Sequence, residues 1–246
     1  MLKNRGREFM KYIILVAGRG TRISRNVGGV PKCLLEIRPG KKLIVDTLEK
    51  LIDRGVSPHD IVVVTGYQSG RVAHNIAKFG VNMINNPFFD VTNSIASFWF
   101  ARDFVDGDFI AFNGDTYFEP VLLDTLNNAD QELVMLGDTT RIEDADYRFN
   151  WDNGRLLKYG KDLSVEETTG EYVGFAKVSG FGVTKFKSKL SELISKQEHG
   201  MWWEDVIYKL ADDDHHVHVI DIKGTFWSEI DYIEDYQRII EHVKTI

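Results

Sequence analysis

The sequence is short of cysteine and of positive charge. Cys33 is the one cysteine among 246 residues, so no disulfide can form within the chain and the disulfide framework of a small secreted domain is excluded. The formal net charge is −7, from 30 lysines and arginines against 37 acidic residues. Because an extended contact with nucleic-acid phosphates requires a surplus of basic side chains, a nucleic-acid partner is not expected.

Long apolar runs are missing as well. The longest early run, Tyr12–Ala17, has six residues, whereas a membrane-spanning helix needs about 20. No signal-peptide cleavage pattern precedes this run. These absences predict a soluble, cytoplasmic protein with no membrane partner, and the polar, basic residues 1–9 are interpreted as a disordered leader.

The sequence does contain enough apolar material for a full core, since 43% of its residues are hydrophobic and 12% are aromatic. Two continuous runs, Tyr12–Ala17 and Ile61–Thr65, are typical of strands that are buried on both faces of a parallel sheet. Segments of helical periodicity alternate with such runs, and a later helix is predicted at Lys187–Glu198. After about residue 130 the strands become shorter. We predict one α/β domain over residues 10–246, with a mostly parallel, mixed central sheet.

The first candidate motif is a glycine-rich turn, Gly18–Arg22, which directly follows the first strand. Glycines at such a turn let backbone N–H groups approach an anion closely, so the turn can hold a triphosphate. Arg22 and Lys32 would complete the site with two cations, Lys32 following in a Pro-Lys pair. The alternative is an ordinary tight turn with two surface cations.

The second candidate motif is a set of carboxylates. Asp115 follows a hydrophobic strand, and ligands of open parallel sheets bind beyond the carboxyl ends of the strands. Glu229 and Asp231 share one face if their segment is extended. Mg²⁺ prefers oxygen ligands and often joins one or two carboxylates to substrate phosphates, so these three residues are the predicted metal ligands. The alternatives are a simple turn for Asp115 and capping of the helix that begins at Ile233 for the other two.

These motifs and two others follow one another in a fixed order along the chain. The landmarks are Gly18–Arg22 with Pro31-Lys32 at a fixed distance, Val64–Tyr67, Asn113–Asp115, and Trp227–Asp231. With them the chain resembles the nucleotidyltransferase superfamily that includes sugar-1-phosphate nucleotidyltransferases and the bacterial type of cholinephosphate cytidylyltransferases. Four ordered landmarks make a chance agreement improbable.

Departures from the sugar branch favour the cholinephosphate cytidylyltransferase branch. Many sugar-nucleotide enzymes have a proline where this chain has Arg25. Their terminal motif usually runs Trp-x-Asp-x-Gly-Thr, whereas this chain has Glu229 at the aspartate position and Asp231 at the glycine position. The Glu-Ile-Asp form, and Thr92–Ser94 before an aromatic helix, are more similar to the cholinephosphate branch.

The resemblance implies a fold and a reaction. The fold is a Rossmann-like three-layer sandwich of the nucleotide-diphospho-sugar transferase type, with a nucleotide-binding half at about residues 10–130 and an acceptor-binding half at about residues 131–246. The reaction is Mg²⁺-dependent transfer of CMP from CTP to a small phosphorylated or phosphonate acceptor, such as phosphocholine, phosphoethanolamine or aminoethylphosphonate, with release of pyrophosphate. The product would be a precursor of cell-surface polysaccharide or phospholipid. A homodimer is compatible with the sequence.

The resemblance also assigns roles to residues. The expected catalytic residues are Arg22, which would stabilise the departing phosphates, Lys32, which would stabilise the transferring group, and Asp115, which would hold the metal. An ionised phosphate is already nucleophilic, so no Ser-His-Asp arrangement is required. The predicted nucleotide-binding residues are Leu15, Ala17, Gly18, Gly20, Thr21, Arg22, Tyr67, Asn93, Ser94 and Asn113.

Aromatic and acidic side chains of the second half are predicted to bind a cationic acceptor. A cation over an aromatic ring gains about 0.5 to 2 kcal/mol, depending on its desolvation. The predicted acceptor-binding residues are Lys161, Tyr172, Trp202, Trp203, Glu204, Asp205 and Trp227. The alternatives are core packing for the tryptophan pair and a solvated surface position for the lysine.

Three other functions are weighed against this one. The chain could be a sugar-1-phosphate nucleotidyltransferase that uses dTTP or UTP, or a catalytically inactive regulatory protein that binds a nucleotide without turnover. Joint retention of Arg22, Lys32, Asp115 and Asp231 favours the enzyme, since an inactive site has no chemical need for all four. A glycosyltransferase is disfavoured, because Asn113–Asp115 is not an Asp-x-Asp metal pair.

Overall fold

The structure, a computed structural model, describes residues 10–246. A mixed sheet of nine strands forms the centre of this part of the chain. The expected leader, residues 1–9, lies outside the described residues. The strands within residues 10–246 are β1 (Lys11–Val16), β2 (Glu36–Arg38), β3 (Lys41–Lys42), β4 (Ile61–Thr65), β5 (Asn82–Asn85), β6 (Phe109–Asn113), β7 (Thr116–Phe118), β8 (Leu133–Asp138), β9 (Arg148–Asp152), β10 (Arg155–Gly160), β11 (Gly170–Val178), β12 (His218–Asp221) and β13 (Trp227–Glu229).

The order of the strands in the large sheet is β5, β4, β1, β6, β11, β8, β12, β10, β9. The first four are mutually parallel where they pair. β11 is antiparallel to both of its neighbours, β12 is parallel to β8, and β10 is antiparallel to β12 and β9. The predicted α/β fold with a mixed central sheet is therefore confirmed. Within the described residues, four of its strand pairings are parallel and five are antiparallel, so the sheet is not mostly parallel as predicted.

Helices cover both faces of this sheet. The helices of the described region are α1 (Leu43–Ile52), α2 (Ser69–Ile76), α3 (Ser94–Ala101), α4 (Val121–Asn128), α5 (Phe181–Ser195), α6 (Asp205–Asp212) and α7 (Ile233–Val243), with short 3-10 helices at Lys32–Leu34, Pro58–Asp60 and Ala77–Phe79. None of the helices within residues 10–246 is long and apolar enough to cross a membrane.

Alternation along β1 explains the three layers. Ile13 and Leu15 pack in one core with side chains of α3, α5 and α6, whereas Tyr12, Ile14 and Val16 pack in a second core with side chains of α1, α2 and α4. Successive side chains of a strand point to opposite faces of its sheet, so a strand that is apolar throughout needs cover on both sides. The predicted three-layer sandwich is confirmed.

Two features differ from the sequence prediction. The helix predicted at Lys187–Glu198 begins earlier, at Phe181, because Gly180 adopts a φ of 55° and turns the chain directly out of β11. The small antiparallel ladder of β7 and β13 has no counterpart in the prediction. It pairs Glu229 with Thr116, and the N–H of Ile230 donates to the carbonyl of Asp115 at 3.0 Å. This ladder brings the Glu229–Asp231 segment next to Asp115.

Candidate active site

A lysine bridges two of the predicted carboxylates beyond the carboxyl ends of β1 and β6. The Lys32 Nζ lies 3.1 Å from Asp115 Oδ2 and 2.6 Å from Asp231 Oδ1. Arg22 Nη1 lies 2.5 Å from the other oxygen of Asp231. The structure thus brings Arg22, Lys32, Asp115 and Asp231 into one connected ion-pair network.

The glycine-rich turn positions Lys32. Gly20 adopts a φ of 60°, and a Cβ at that position would lie 2.8 Å from Lys32 Cγ and 2.9 Å from Lys32 Cε. Such contacts are too close for ordinary packing, so a side chain at this position would displace Lys32 from its present path across the turn. At the other end of the loop, the Tyr67 hydroxyl donates to the carbonyl of Gly29 at 3.2 Å. Tyr67 therefore supports the loop and does not line the cleft.

Asp231 faces the site and does not cap the final helix. The backbone N–H groups of Asp231 and Tyr232 both donate to Asp235 Oδ2, so Asp235 supplies the cap of α7. Burial alone would raise the pKa of Asp231, but the cations Lys32 and Arg22 together lower it below its ordinary value. Likewise, burial would lower the pKa of Lys32, but Asp115 and Asp231 raise it above its ordinary value. Both groups are charged at neutral pH.

Glu229 is the third predicted metal ligand. Burial raises the pKa of Glu229 well above its ordinary value, and the like charge of Asp115 adds to this shift. Within residues 10–246 no group of three His, Cys, Asp or Glu side chains stands ready to hold a metal ion. Mg²⁺ does not need one, because it commonly binds through one or two carboxylates and substrate phosphates. The Asp115 and Asp231 carboxylates, which converge on Lys32, offer oxygen ligands of this kind, and the role of Glu229 stays a prediction.

A cleft of about 1350 Å³ opens beside this network, and its lining includes Lys32 and Asp231 but not Asp115. Its lining includes Gly20, Thr21, Arg22 and Asn113 from the predicted nucleotide-binding set. The other six members of that set are not among its lining residues: Leu15, Ala17, Gly18, Tyr67, Asn93 and Ser94. Several of these support the site through the backbone. For example, the carbonyl of Leu15 accepts from the N–H of Gly114 at 2.9 Å.

The Asn93-Ser94 pair orders the start of α3 and the segment packed against it. The Asn93 side chain accepts from the N–H of Ser94 and donates to the carbonyl of Gly200. The Ser94 hydroxyl accepts from the N–H of Trp203 at 2.9 Å. The pair therefore connects the nucleotide half to the tryptophan pair of the acceptor half.

The two adjacent tryptophans have different environments. Trp203 is fully buried, stacks on Phe98 with ring centroids 6.0 Å apart, and donates from Nε1 to Asn113 Oδ1 at 3.0 Å. Trp202 is 42% exposed and lines the cleft. Asp205 accepts from the N–H of Trp202 and, like Trp203, is not part of the cleft lining. Trp203 thus belongs to the core that holds Asn113 in place.

Glu204 is a buried member of the cleft lining. Its Oε1 accepts from Asn113 Nδ2 at 3.1 Å. Burial raises the pKa of Glu204 to about 8, and the like charges of Asp205 and Asp115 contribute to the increase. The other cleft-lining members of the predicted acceptor set are Lys161, Tyr172 and Trp227.

Sequence reasoning missed the residues that hold Trp227. Asp138, at the end of β8, accepts from Trp227 Nε1 at 3.0 Å and from the N–H groups of Thr140 and Gly224. Arg141 donates to the carbonyl of Trp227 at 2.6 Å, and its guanidinium lies 4.1 Å from the centroid of that ring. These residues lie in or beside an irregular loop, where no periodicity or motif marks them in the sequence.

Comparison with known proteins places this arrangement in a family. The model of the MobA-like NTP transferase domain matches residues 12–153, which is more than half of the chain. The chain belongs to this family. The match includes the glycine-rich turn, Lys32 and Asp115, and the resemblance to nucleotidyltransferases is confirmed.

Relatives of this MobA-like NTP transferase extend the match to nearly the whole chain. The CTP:phosphoglutamine cytidylyltransferase of Campylobacter jejuni is 27% identical over 94% of the chain and 100% of its own length. The choline-phosphate cytidylyltransferase of Streptococcus pneumoniae is 24% identical over 96% of the chain and 99% of its own length. A solved structure of CTP:phosphocholine cytidylyltransferase from Streptococcus pneumoniae has the same fold, with a TM-score of 0.79 and 19% identity over 95% of this chain and 99% of that one.

Proposed function

We propose that this NTP transferase transfers CMP from CTP to a small phosphorylated or phosphonate acceptor and releases pyrophosphate. The observation that carries the proposal is the contact of Lys32 with both Asp115 and Asp231, beside a glycine-rich turn that lines the same cleft. The choice of CTP rests on the two cytidylyltransferases that align with the chain over essentially their full length. Dependence on Mg²⁺ is part of the proposal.

The chemistry is an in-line displacement at the α-phosphorus of CTP. An oxygen of the acceptor phosphate forms a new P–O bond, the bond to the bridging oxygen of the β-phosphate breaks, and pyrophosphate leaves with the electron pair. The acceptor oxygen is already ionised, so the site needs no general base. Its task is to bring two anions together and to neutralise the charge that develops between them.

Two cations of the chain serve that task. Lys32 is held on both sides by carboxylates, so its ammonium needs little reorganisation when it contacts the transferring phosphate. Arg22, about half exposed at the cleft, is placed for the departing phosphates. When bound, Mg²⁺ would be held by Asp115, Glu229 and Asp231 and would withdraw charge from phosphate oxygens.

The first test is a pyrophosphate-release assay with each NTP against phosphocholine, phosphoethanolamine, 2-aminoethylphosphonate and glucose-1-phosphate, with and without Mg²⁺. The expected result is Mg²⁺-dependent turnover with CTP and an amine-bearing acceptor. Turnover of dTTP or UTP with the sugar phosphate alone would establish the sugar-nucleotide alternative. CTP binding without turnover of any phosphorylated or phosphonate acceptor would favour the regulatory alternative.

The second test is Asp115→Asn. Loss of the carboxylate charge is expected to reduce turnover about 100-fold or more with the fold intact, since removal of one electrostatic contributor typically costs that much. Arg155→Gln is the matched control, because it removes an exposed ion pair with Asp214 outside the cleft. Substantial activity in Asp115→Asn would contradict the assigned role.

A further inference from the structure

The acceptor half of the cleft contains a buried carboxyl group, that of Glu204, which forms no ion pair with any residue of the range 10–246. Glu204 is 5% exposed, and its hydrogen-bond donor is the neutral amide of Asn113. The strongest charges that act on it are those of Asp205 and Asp115, which have the same sign. Buried carboxylates are normally paired with a cation. Glu204 therefore lacks an ion-pair partner, and a bound ligand can provide one.

A phenolic hydroxyl of the same cleft also lacks a partner. Tyr172 is 8% exposed and lines the cleft, and its Oη has no hydrogen-bond partner among residues 10–246. The strongest charge that acts on this hydroxyl is that of Glu204. A buried polar group without a hydrogen bond costs about 1 to 3 kcal/mol. A phenol without a hydrogen bond and a buried carboxyl group without an ion pair in one cleft point to a ligand that donates hydrogen bonds.

Each of the two tryptophan rings in the cleft lining, in contrast, already has a cation of the chain near one face. The guanidinium of Arg141 lies 4.1 Å from the centroid of Trp227, and Lys161 Nζ lies 5.7 Å from that of Trp202. Tyr172 stacks on Phe149 with centroids 5.1 Å apart. A quaternary ammonium group donates no hydrogen bonds and depends on ring faces for its binding. At both tryptophans it would meet a cation that belongs to the chain itself.

Resting on the proposed function, we infer that the acceptor carries a primary ammonium group, which donates hydrogen bonds to the Glu204 carboxylate and the Tyr172 hydroxyl, and not a quaternary one. An ammonium has three donors, enough for both oxygens with one to spare. Its positive charge favours the ionised form of Glu204, and its hydrogen bonds satisfy the orphaned phenol. The phosphate or phosphonate at the other end of the acceptor faces Lys32.

The experiment compares acceptors that differ only in methylation of the nitrogen. Pyrophosphate release from CTP is measured with phosphoethanolamine, its N-methyl and N,N-dimethyl derivatives, phosphocholine, and ethyl phosphate as the neutral control. The value of kcat/KM is expected to fall with each methyl group and to be at least about tenfold lower for phosphocholine, which can make no hydrogen bond to either oxygen. The value of kcat/KM for ethyl phosphate is expected to be about 100-fold lower than that for phosphoethanolamine.

Variants assign the effect to the two oxygens. Tyr172→Phe is expected to lower kcat/KM for phosphoethanolamine about tenfold and to leave the value for phosphocholine unchanged within about twofold. Glu204→Gln keeps an acceptor for Asn113 and is expected to lower the value for phosphoethanolamine further. Tyr159→Phe is the control, because it removes a phenol that bonds to Asp212 outside the cleft lining, and both values should stay unchanged.

The outcomes separate this inference from the proposed function. The inference would be overturned if phosphocholine or ethyl phosphate reacted as well as phosphoethanolamine. It would also be overturned if Tyr172→Phe lowered kcat/KM equally for both amines. Either result would leave the proposed cytidylyltransferase activity intact. The same holds if CTP is turned over only with phosphorylated or phosphonate acceptors that have no primary ammonium group. Failure of CTP to react with any phosphorylated or phosphonate acceptor would overturn the proposed function itself.

Discussion

Replacement of Gly20 by alanine tests the link between the glycine-rich turn and the chemistry of Lys32. The residue adopts a φ of 60°, which costs a non-glycine residue about 1 to 2 kcal/mol. The new Cβ would also lie 2.8 Å from Lys32 Cγ. The lysine is fixed between Asp115 and Asp231, so its stem can move away only if those ion pairs lengthen.

The expected consequence is a double loss. The free energy of unfolding should fall by about 1 to 2 kcal/mol in urea melts. The value of kcat/KM for pyrophosphate release should fall about 100-fold, because a displacement of about 1 Å at a reacting centre has effects of this size. Gly18→Ala is the matched control for stability, since no atom lies within 4 Å of a Cβ at that position, and its change should stay within about 0.5 kcal/mol. A Gly20→Ala variant with unchanged kcat/KM would refute the positioning of Lys32 by the turn.

Three further predictions concern the support of the site. Because the pKa of Glu204 is raised to about 8 from an ordinary value of 4.5, its ionisation disfavours the folded state, so the free energy of unfolding should decrease between about pH 4.5 and pH 8. Urea melts of Glu204→Gln should show a weaker decrease, and an unchanged slope would contradict the assignment. Asp138→Asn should lower stability by about 1 to 3 kcal/mol in thermal melts, because the amide presents a donor where the carboxylate accepts from Trp227 and backbone N–H groups; an unchanged melting temperature would count against this. Trp203→Phe should lower the free energy of unfolding by about 1 to 2 kcal/mol, because the hydrogen bond to Asn113 is lost. Trp202→Phe should change it by no more than about 0.5 kcal/mol. Equal losses for the two variants in urea melts would disprove this distinction.

Much of the fold could be predicted because its central strands carry a strong local signal. β1 and β4 are continuous apolar runs, and such runs require cover on both faces wherever they lie in a sheet. The convergence of Arg22, Lys32 and Asp115 follows from the same geometry, since loops after parallel strands meet at one edge. The sequence therefore indicated where a site would form before any distance was known.

The remaining features depend on tertiary contacts that leave no periodic trace. β7 and β13 have three residues each, too few for a pattern, yet their pairing places Glu229 beside Asp115. Trp202 and Trp203 are chemically identical neighbours, and only the packing of Trp203 against Phe98 decides which one is core. Arg141 lies in an irregular loop, where an arginine is ordinarily a solvated residue. Its stacking on Trp227 could be found only in three dimensions.

The central claim is that Lys32, held by two carboxylates, neutralises phosphate charge during transfer from CTP. The most direct measurement is single-turnover pyrophosphate release from CTP by Lys32→Met, with thermal melts to establish that the variant is folded. The account predicts a rate reduction of about 100- to 1000-fold, as for removal of one preorganised donor from a transition state. A folded Lys32→Met variant that releases pyrophosphate at the parent rate would contradict it.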